Sequence, residues 1–403
     1  MAPKRGAATG TARARRSSKS NGKAAGTSTK SERKILVTAG EGQTGRLVID
    51  LLATNEDYMH KYGELTALVF SEAAKSVLEE YEAVKVAVFD PSDEEALVKC
   101  MEAVDTCLLI PPARKDKSQI TRTLIEAARK AQTVQNLVLL SSAGCDYAER
   151  DTQPHLREFI DLEALVMQPK GEPDTSDAGH SMCIVRAGFY AENLLLYSKQ
   201  AQGEGRLPIP VGDRHKFAPV ALGDIAQLVA FVVTSEGPHG LADIVRSQVL
   251  VATGPQLTSG SELAQAASQA LGTKMEFESI DNDTAKQILN SDQGAEVDEA
   301  EREYLLEYYS LVREGKTNYT ATTAMLAYLG TRGQEPAEFF RTYSDEFKPK
   351  KRKIAGKPAS AGASGKKVPS RGKAATKSAG AEEEASSSSA PPEARRETAP
   401  KGL

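Results

Sequence analysis

The feature that most constrains this chain is a Gly-x-Gly-x-x-Gly pattern at Gly40, Gly42 and Gly45. An apolar run at residues 35–38 precedes the pattern, and apolar side chains at helical spacing follow it at residues 47–52. A strand, a tight turn and a helix in this order open a doubly wound α/β fold. The first glycine would permit the turn, the second would let the backbone approach a pyrophosphate, and the third would let the helix pack closely on the strand. We therefore expect the turn to bind a dinucleotide at the helix N-terminus, against the alternative of a glycine-rich turn without a ligand.

Beyond the first helix, apolar runs alternate with segments of helical periodicity, as a parallel sheet covered by helices on both faces requires. This pattern predicts strands at residues 65–70, 84–89, 106–110, 137–140 and 183–185. It predicts helices at residues 73–81, 94–103, 117–131 and 155–167. We therefore predict a doubly wound, parallel-sheet α/β domain of the Rossmann type.

After residue 186 the pattern loosens, with helices predicted at 222–234 and 261–271 and a strand at 249–252. Ligands of open α/β sheets bind at the carboxyl ends of the strands. We expect residues 187–347 to form a small C-terminal α+β lobe over that edge. This lobe would make the second wall of a cleft beside a core at residues 34–186.

Charge is distributed unevenly along the 403 residues, although the net charge is only −4. Residues 1–31 carry eight Lys and Arg and no acidic residue, and residues 348–378 carry eleven and none. Residues 32–347 hold 29 basic and 50 acidic residues. The tails at 1–31 and 348–403 are too poor in large apolar side chains to form a core, so we predict that both are disordered. Because an acidic domain repels nucleic acid, any such contact should be non-specific and made by the basic tails.

A compact basic run in the second tail has the form that nuclear import receptors read. Its residues are Lys350, Lys351, Arg352 and Lys353. We predict that the protein resides in the nucleus, and a cytoplasmic fraction is also compatible with the sequence. The alternative is that the basic run is a solvated linker. The acid-free N-terminus suggests an organellar transit peptide, but it lacks the Leu or Phe face of such a helix, so this prediction ranks second.

Other classes of protein are disfavoured by the sequence. No apolar stretch of about 18 residues is present, so we expect no membrane span. The four cysteines form no Cys-x-x-Cys pair, which favours buried thiols over metal ligands. His155, His180 and His215 show no ligand spacing, and we expect no metal site.

Several segments together resemble the NmrA-like family, whose members are atypical short-chain dehydrogenases/reductases. These segments are residues 35–45, 88–90, 184–193 and 252–271, and the most specific are 186–194 and 253–258. The resemblance extends from residue 34 to residue 347. It implies a Rossmann domain that holds NAD or NADP, and a small C-terminal lobe. Some relatives reduce quinones or small carbonyl compounds, whereas others are redox sensors that bind transcription factors, and the fold does not choose between them.

The candidate cofactor residues lie at the carboxyl ends of the predicted strands. Ser71 follows the second strand and could serve NAD or NADP, and Lys75 one turn later gives a slight lean to NADP. The resemblance places Asp90 beside the adenine, although helix N-capping through residues 90–92 is an alternative. Residues 110–112 end the fourth strand near the nicotinamide ribose. The cofactor set is Gly40, Gly42, Gln43, Thr44, Gly45, Ser71, Asp90, Ile110 and Pro111.

Catalysis in the wider superfamily uses a Tyr whose pKa is lowered by a Lys four residues later. Here the nearby tyrosine is Tyr147, and Asp151 stands where the lysine should be. An anionic neighbour would raise the pKa of the phenol, which opposes this chemistry. Many NmrA-like relatives carry a lysine four residues before the helix glutamate, Glu163, but this chain has Phe159 there. No catalytic residue is therefore assigned.

The substrate cleft is expected to involve residues at two strand ends. Ser141 and Ser142 end the fifth strand and face either the substrate or the next turn. The resemblance implies that Phe189, Tyr190 and Asn193 face the cleft. The alternative is that the two aromatic residues belong to the core and that Asn193 caps a helix. From these residues we predict an NAD(P)-binding, redox-sensing regulator whose partner is a transcription factor or another regulatory protein. An NAD(P)H-dependent reductase of a quinone or small carbonyl compound and a chromatin-associated scaffold are the alternatives.

Overall fold

The structure is a computed structural model that describes residues 31–90, 92–168, 181–291, 294 and 297–349. The predicted tails lie outside the described residues except for their innermost positions. The basic run at residues 350–353 also lies outside them. Among the described residues, no helix has the length and apolar content needed to cross a membrane.

In the part of the chain that the structure describes, nine strands form two parallel sheets. In chain order they are β1 (Lys34–Val37), β2 (Glu64–Val69), β3 (Val84–Val88), β4 (Thr106–Leu109), β5 (Asn136–Ser142), β6 (Ser181–Ala187), β7 (Arg206–Ile209), β8 (Gln248–Ala252) and β9 (Glu276–Ser279). The main sheet has seven strands in the order β3-β2-β1-β4-β5-β6-β8, and β7 pairs with β9. The order reverses between β1 and β4, and such a reversal is where Rossmann folds bind dinucleotides.

Fourteen α-helices and one 3-10 helix are present among the described residues. The α-helices are α1 (Gln43–Thr54), α2 (Glu56–Met59), α3 (Glu72–Leu78), α4 (Glu94–Met101), α5 (Lys117–Lys130), α6 (Pro154–Val166), α7 (Ser198–Glu204), α8 (Leu222–Thr234), α9 (Gly260–Leu271), α10 (Asn282–Leu289), α11 (Glu299–Arg313), α12 (Thr323–Leu329), α13 (Pro336–Thr342) and α14 (Ser344–Phe347). The 3-10 helix is Ala191–Tyr197 and follows β6 closely.

The main sheet is buried on both faces because alternate side chains of each strand point to opposite sides. Every residue of β4 and β5 is buried. On one face, side chains such as Val37 and Leu108 pack with α1, α8 and α12. On the other face, side chains such as Leu36 and Leu109 pack with α4, α5 and α6. The prediction of a doubly wound Rossmann-type α/β fold is confirmed.

The boundary expected at residue 186 needs a correction. β8 pairs in parallel with β6, where Val249 lies opposite Ile184, so the strand predicted in the lobe extends the main sheet. α8 packs on α1, and α12 packs on α8. The remaining lobe, formed by β7, β9, α7, α9, α10, α11, α13 and α14, surrounds a separate apolar cluster. The later half of the chain therefore completes the core as well as adding a lobe.

Candidate functional site

The glycine turn connects β1 to α1. Thr38 Oγ1 accepts a hydrogen bond from the backbone N–H of Ile110 at 2.8 Å, which joins the carboxyl ends of β1 and β4. The Gly42 N–H donates to the Ala39 carbonyl oxygen at 3.0 Å and closes the turn. Ala39 has a left-handed backbone, with φ at 50°. The residue that adopts the turn conformation is therefore Ala39 rather than the first glycine, Gly40, as the sequence had suggested.

The three glycines of the turn have different surroundings. A Cβ atom at Gly45 would lie 2.3 Å from the Ala39 carbonyl oxygen, so a side chain there would force α1 away from the turn. At Gly40 a Cβ would meet side-chain atoms at 3.1, 3.2 and 3.3 Å. Gly42 is exposed, and a Cβ there would lie 3.3 Å from the Ala39 oxygen. The close packing expected at the third glycine, Gly45, is present. At the second glycine, Gly42, no side chain shields the exposed backbone.

The N-terminus of α1 is suited to an anion. Gly42 is the N-cap and provides no side-chain cap, and the first turn of α1 contains no acidic residue. The first N–H groups of a helix have no intrahelical acceptor and carry a partial positive charge. Gln43 is exposed and Thr44 is half-buried in this turn. The bare, uncapped turn therefore fits the pyrophosphate of a dinucleotide.

The residues that suggested NADP are engaged in other interactions at the end of β2. Ser71 is the N-cap of α3, and its hydroxyl accepts a hydrogen bond from the Ala74 N–H at 3.1 Å. Lys75 Nζ lies 3.7 Å from a carboxylate oxygen of Glu72 and 3.8 Å from one of Glu79. Both residues therefore take part in interactions within α3, and NAD(P) as a class does not depend on them.

The next two strand ends lie at the same edge of the sheet. Asp90 is exposed and accepts hydrogen bonds from the backbone N–H and the hydroxyl of Ser92, at 2.8 and 2.6 Å. These bonds lower the pKa of Asp90. The N-cap of α4 is Asp93, so the alternative of N-capping through Asp90 is wrong. Ile110 is buried and Pro111 is half-buried, which fits their predicted place in a wall.

The two serines at the end of β5 have different partners. The Ser141 hydroxyl donates to Glu163 Oε1 at 2.5 Å, and Glu163 forms a buried ion pair with Arg186 at 2.7 Å. Ser141 therefore belongs to an internal polar network rather than to the substrate cleft, which corrects its predicted role. Ser142 shares a hydrogen bond of 2.8 Å with the hydroxyl of Tyr304 on α11. This bond connects the sheet edge to the lobe.

The residues that follow β6 divide between the core and the cleft. Phe189 is buried, and its ring centroid lies 5.3 Å from that of Phe217, so it is a core aromatic and not a cleft residue. Tyr190 is half-buried, and its hydroxyl interacts with the Thr44 side chain in the first turn of α1. Asn193 is half-buried within the 3-10 helix and does not cap it. Of these three, Tyr190 is the residue placed against the dinucleotide turn.

A buried lysine beside Phe159 and Tyr304 was not predicted from the sequence. Lys117 begins α5, and its ammonium nitrogen lies 4.6 Å from the ring centroid of Phe159 and 5.4 Å from that of Tyr304. It also donates to the carbonyl oxygen of His155 at 3.4 Å. Phe159 stands where many relatives would carry a lysine, so α5 supplies a positive charge close to that position. A lysine at the start of the helix after the Ile-Pro-Pro segment was the available signal.

The electrostatics of this cluster oppose proton transfer by a tyrosine. Burial and the nearby Glu301 raise the pKa of Tyr304 well above its usual value. Burial lowers the pKa of Lys117, and Glu301 partly opposes that shift. Tyr147, the tyrosine weighed in the sequence, is 50% exposed. The cleft thus offers hydroxyl groups and one buried amine, without the tyrosine–lysine pair of the superfamily.

Cys107, Cys145 and Cys183 are buried. Burial raises the pKa of Cys145 and of Cys183 to about 12, so both are thiols at neutral pH. Within the described ranges, no group of three or more His, Cys, Asp or Glu side chains is arranged to hold a metal ion.

Proteins of known activity are similar to this chain in sequence or in fold. The chain is 27% identical to an NAD(P)H azoreductase of Xenophilus azovorans over 63% of this chain and 80% of the relative. The fold matches an Escherichia coli NADPH-dependent quinone oxidoreductase complexed with NADPH, with a TM-score of 0.61 at 21% identity over 76% of this chain and 98% of that one.

The fold also matches NmrA, described as a negative transcriptional regulator in complex with NADP. The TM-score is 0.59 at 15% identity, over 78% of this chain and 97% of that one. The predicted cofactor class, NAD(P), agrees with the nucleotides named for these three proteins. Residues 31–345 match the NmrA-like family, and the chain therefore belongs to that family.

Proposed function

We propose that this chain binds NAD(P)(H) at the glycine turn and acts as a redox-sensing regulator that passes the state of the cofactor to a protein partner. Support for cofactor binding comes from the bare Gly42 backbone and from the close packing at Gly45. The observation that carries the regulatory role is the cleft chemistry. Phe159 replaces the expected lysine, and burial raises the pKa of Tyr304, so the cleft is poorly equipped to move a proton.

A second candidate, a reductase of quinones or small conjugated carbonyl compounds, is favoured by the hydrogen bond between Ser142 and Tyr304. A reduced nicotinamide would supply a hydride when bound. One of the Ser142 and Tyr304 hydroxyls donates to the other, so the remaining hydroxyl would then donate a hydrogen bond to the oxygen of the acceptor. The proton that completes the reduction would come from water, because Tyr304 is a weak acid in this environment.

Two measurements on the full chain separate these candidates. Calorimetric titration with NAD, NADH, NADP and NADPH measures binding, and absorbance at the nicotinamide band then measures NAD(P)H oxidation against a panel of quinones. A regulator is expected to distinguish oxidised from reduced cofactor without turnover. Steady turnover that falls in the Tyr304→Phe variant would instead establish the reductase. Failure to bind any of the four nucleotides would refute both.

We also propose that the basic tails place the protein in the nucleus and bind nucleic acid weakly and without sequence preference. The support is their composition, since the domain between them carries an excess of acidic residues. Replacement of Lys350, Lys351, Arg352 and Lys353 by alanine should abolish nuclear accumulation of a fluorescent fusion. Unchanged accumulation would contradict the proposed import signal.

A further inference from the structure

A carboxylate from the glycine turn lies at the end of β2. Glu41 stands between Gly40 and Gly42, and its Oε1 accepts a hydrogen bond of 2.9 Å from the backbone N–H of Phe70. Phe70 is the first residue after β2. The second oxygen, Glu41 Oε2, is buried and has no hydrogen-bond partner among the described residues. The turn thus holds one oxygen of Glu41 in place and leaves the other without a donor.

An unpartnered, buried carboxylate oxygen is stabilised by a group that donates a hydrogen bond to it. A buried carboxylate oxygen without a donor raises the free energy of the folded state, and a ligand that donates a hydrogen bond removes that cost. In Rossmann folds the adenosine ribose lies beside the end of the second strand, where an acidic residue accepts from its 2′-hydroxyl. A 2′-hydroxyl is a donor, whereas an ionised 2′-phosphate offers acceptor oxygens and negative charge.

Residues that directly follow β2 do not fill this role. Ser71 caps α3 through its hydroxyl. The Glu72 side chain is 78% exposed and lies 3.7 Å from Lys75. The acidic group expected after the second strand is therefore supplied by Glu41, from the turn after the first strand.

Two cations close to the end of β2 are already paired with carboxylates. Lys75 lies between Glu72 and Glu79 on α3. The Arg114 guanidinium lies 5.5 Å from the Phe70 ring centroid, and it donates to both oxygens of Asp116 at 2.9 and 3.0 Å. Each of these cations offers less attraction to a 2′-phosphate than a free Arg or Lys would.

We infer that Glu41 determines cofactor specificity: it accepts hydrogen bonds from the adenosine ribose, and this chain prefers NAD(H) to NADP(H). The inference rests on the proposed binding of a dinucleotide at the glycine turn. It differs from the lean towards NADP that Ser71 and Lys75 suggested.

The test compares the dissociation constants of NADH and NADPH by titration of the full chain. The wild-type protein should bind NADH at least about tenfold more tightly than NADPH, which corresponds to about 1.4 kcal/mol. Glu41→Gln, which keeps the size and removes the charge, should strengthen NADPH binding and bring the ratio to within about threefold. Glu56→Gln, which neutralises an exposed carboxylate in α2, should leave the ratio unchanged.

A fragment titration checks the same inference without a variant. Adenosine 5′-monophosphate should bind the wild-type protein more tightly than adenosine 2′,5′-bisphosphate. Equal or tighter binding of NADPH, or of the bisphosphate, would overturn the inference while leaving dinucleotide binding intact. Binding of neither NADH nor NADPH would refute the proposed function, and the inference with it.

Discussion

Replacement of Gly45 by alanine is the sharpest test of the turn geometry. The added Cβ atom would lie 2.3 Å from the carbonyl oxygen of Ala39, whereas ordinary contacts begin at 3.4 Å. The obstacle is backbone, which cannot rotate away as a side chain can. α1 must therefore move by about 1 Å relative to the turn, and its N–H groups move with it.

The expected cost follows from this overlap. Overpacking of a well-packed interior costs about 1–3 kcal/mol, and a backbone neighbour places Gly45→Ala at the upper end of that range. The higher helix propensity of alanine offsets up to about 1 kcal/mol of this cost. We expect a net loss of about 2 kcal/mol in the free energy of unfolding. In a domain of this size the melting temperature should fall by roughly 3 °C.

Thermal and denaturant unfolding of the full chain, followed by circular dichroism, measure this loss. Gly223→Ala is a matched control, because the Cβ of a residue at that position in α8 meets nothing within 4 Å. Gly42→Asp provides the complementary case. Aspartate is a favourable N-cap, so stability should hold, while its charge and bulk should abolish dinucleotide binding. Wild-type stability in Gly45→Ala would refute the packing argument.

Three further changes probe the interior and the cleft. Arg186→Met leaves the buried Glu163 carboxylate uncompensated and should lower the free energy of unfolding by about 3–5 kcal/mol in urea titrations. Burial raises the pKa of Asp224, so its stabilising contribution is complete below its unfolded pKa and declines as pH rises through the folded pKa. Asp224→Asn should therefore gain stability relative to wild type as the pH rises above about 4 in thermal melts. Tyr304→Phe removes the partner of Ser142 and should cost about 1 kcal/mol in the same melts.

Each of these expectations has a contrary outcome. An Arg186→Met protein as stable as wild type would show that the ion pair with Glu163 does not stabilise the folded state. A pH-independent difference for Asp224→Asn would show that its pKa is not raised. A Tyr304→Phe protein with unchanged stability would show that its hydrogen bond contributes nothing to folding.

The fold was largely predictable because its signals are local. Strands such as β4 and β5 are buried on both faces, which gives short continuous apolar runs between helical segments. The place of β8 was not predictable in this way. Its sequence indicates a strand, but its pairing with β6 is set by contacts between residues far apart in the chain.

The site shows the same division. The glycine turn was recognised because three glycines, a strand and a helix lie within one short segment. The Lys117–Tyr304 contact was missed because it joins α5 to α11, and no spacing within the sequence marks it. Glu41 was missed because the search for an acid was confined to the residues after β2, whereas the side chain that reaches this position comes from β1's turn.

The packing of α8 on α1 also constrains the order in which the chain folds. The nine buried residues of α8 help to cover the sheet face that carries α1. A ribosome releases β1 to β6 before it releases α8, so that apolar face stays open to solvent while about 40 more residues are made. A fragment that ends at residue 186 should therefore aggregate or need a chaperone, even though it contains six of the seven strands of the main sheet.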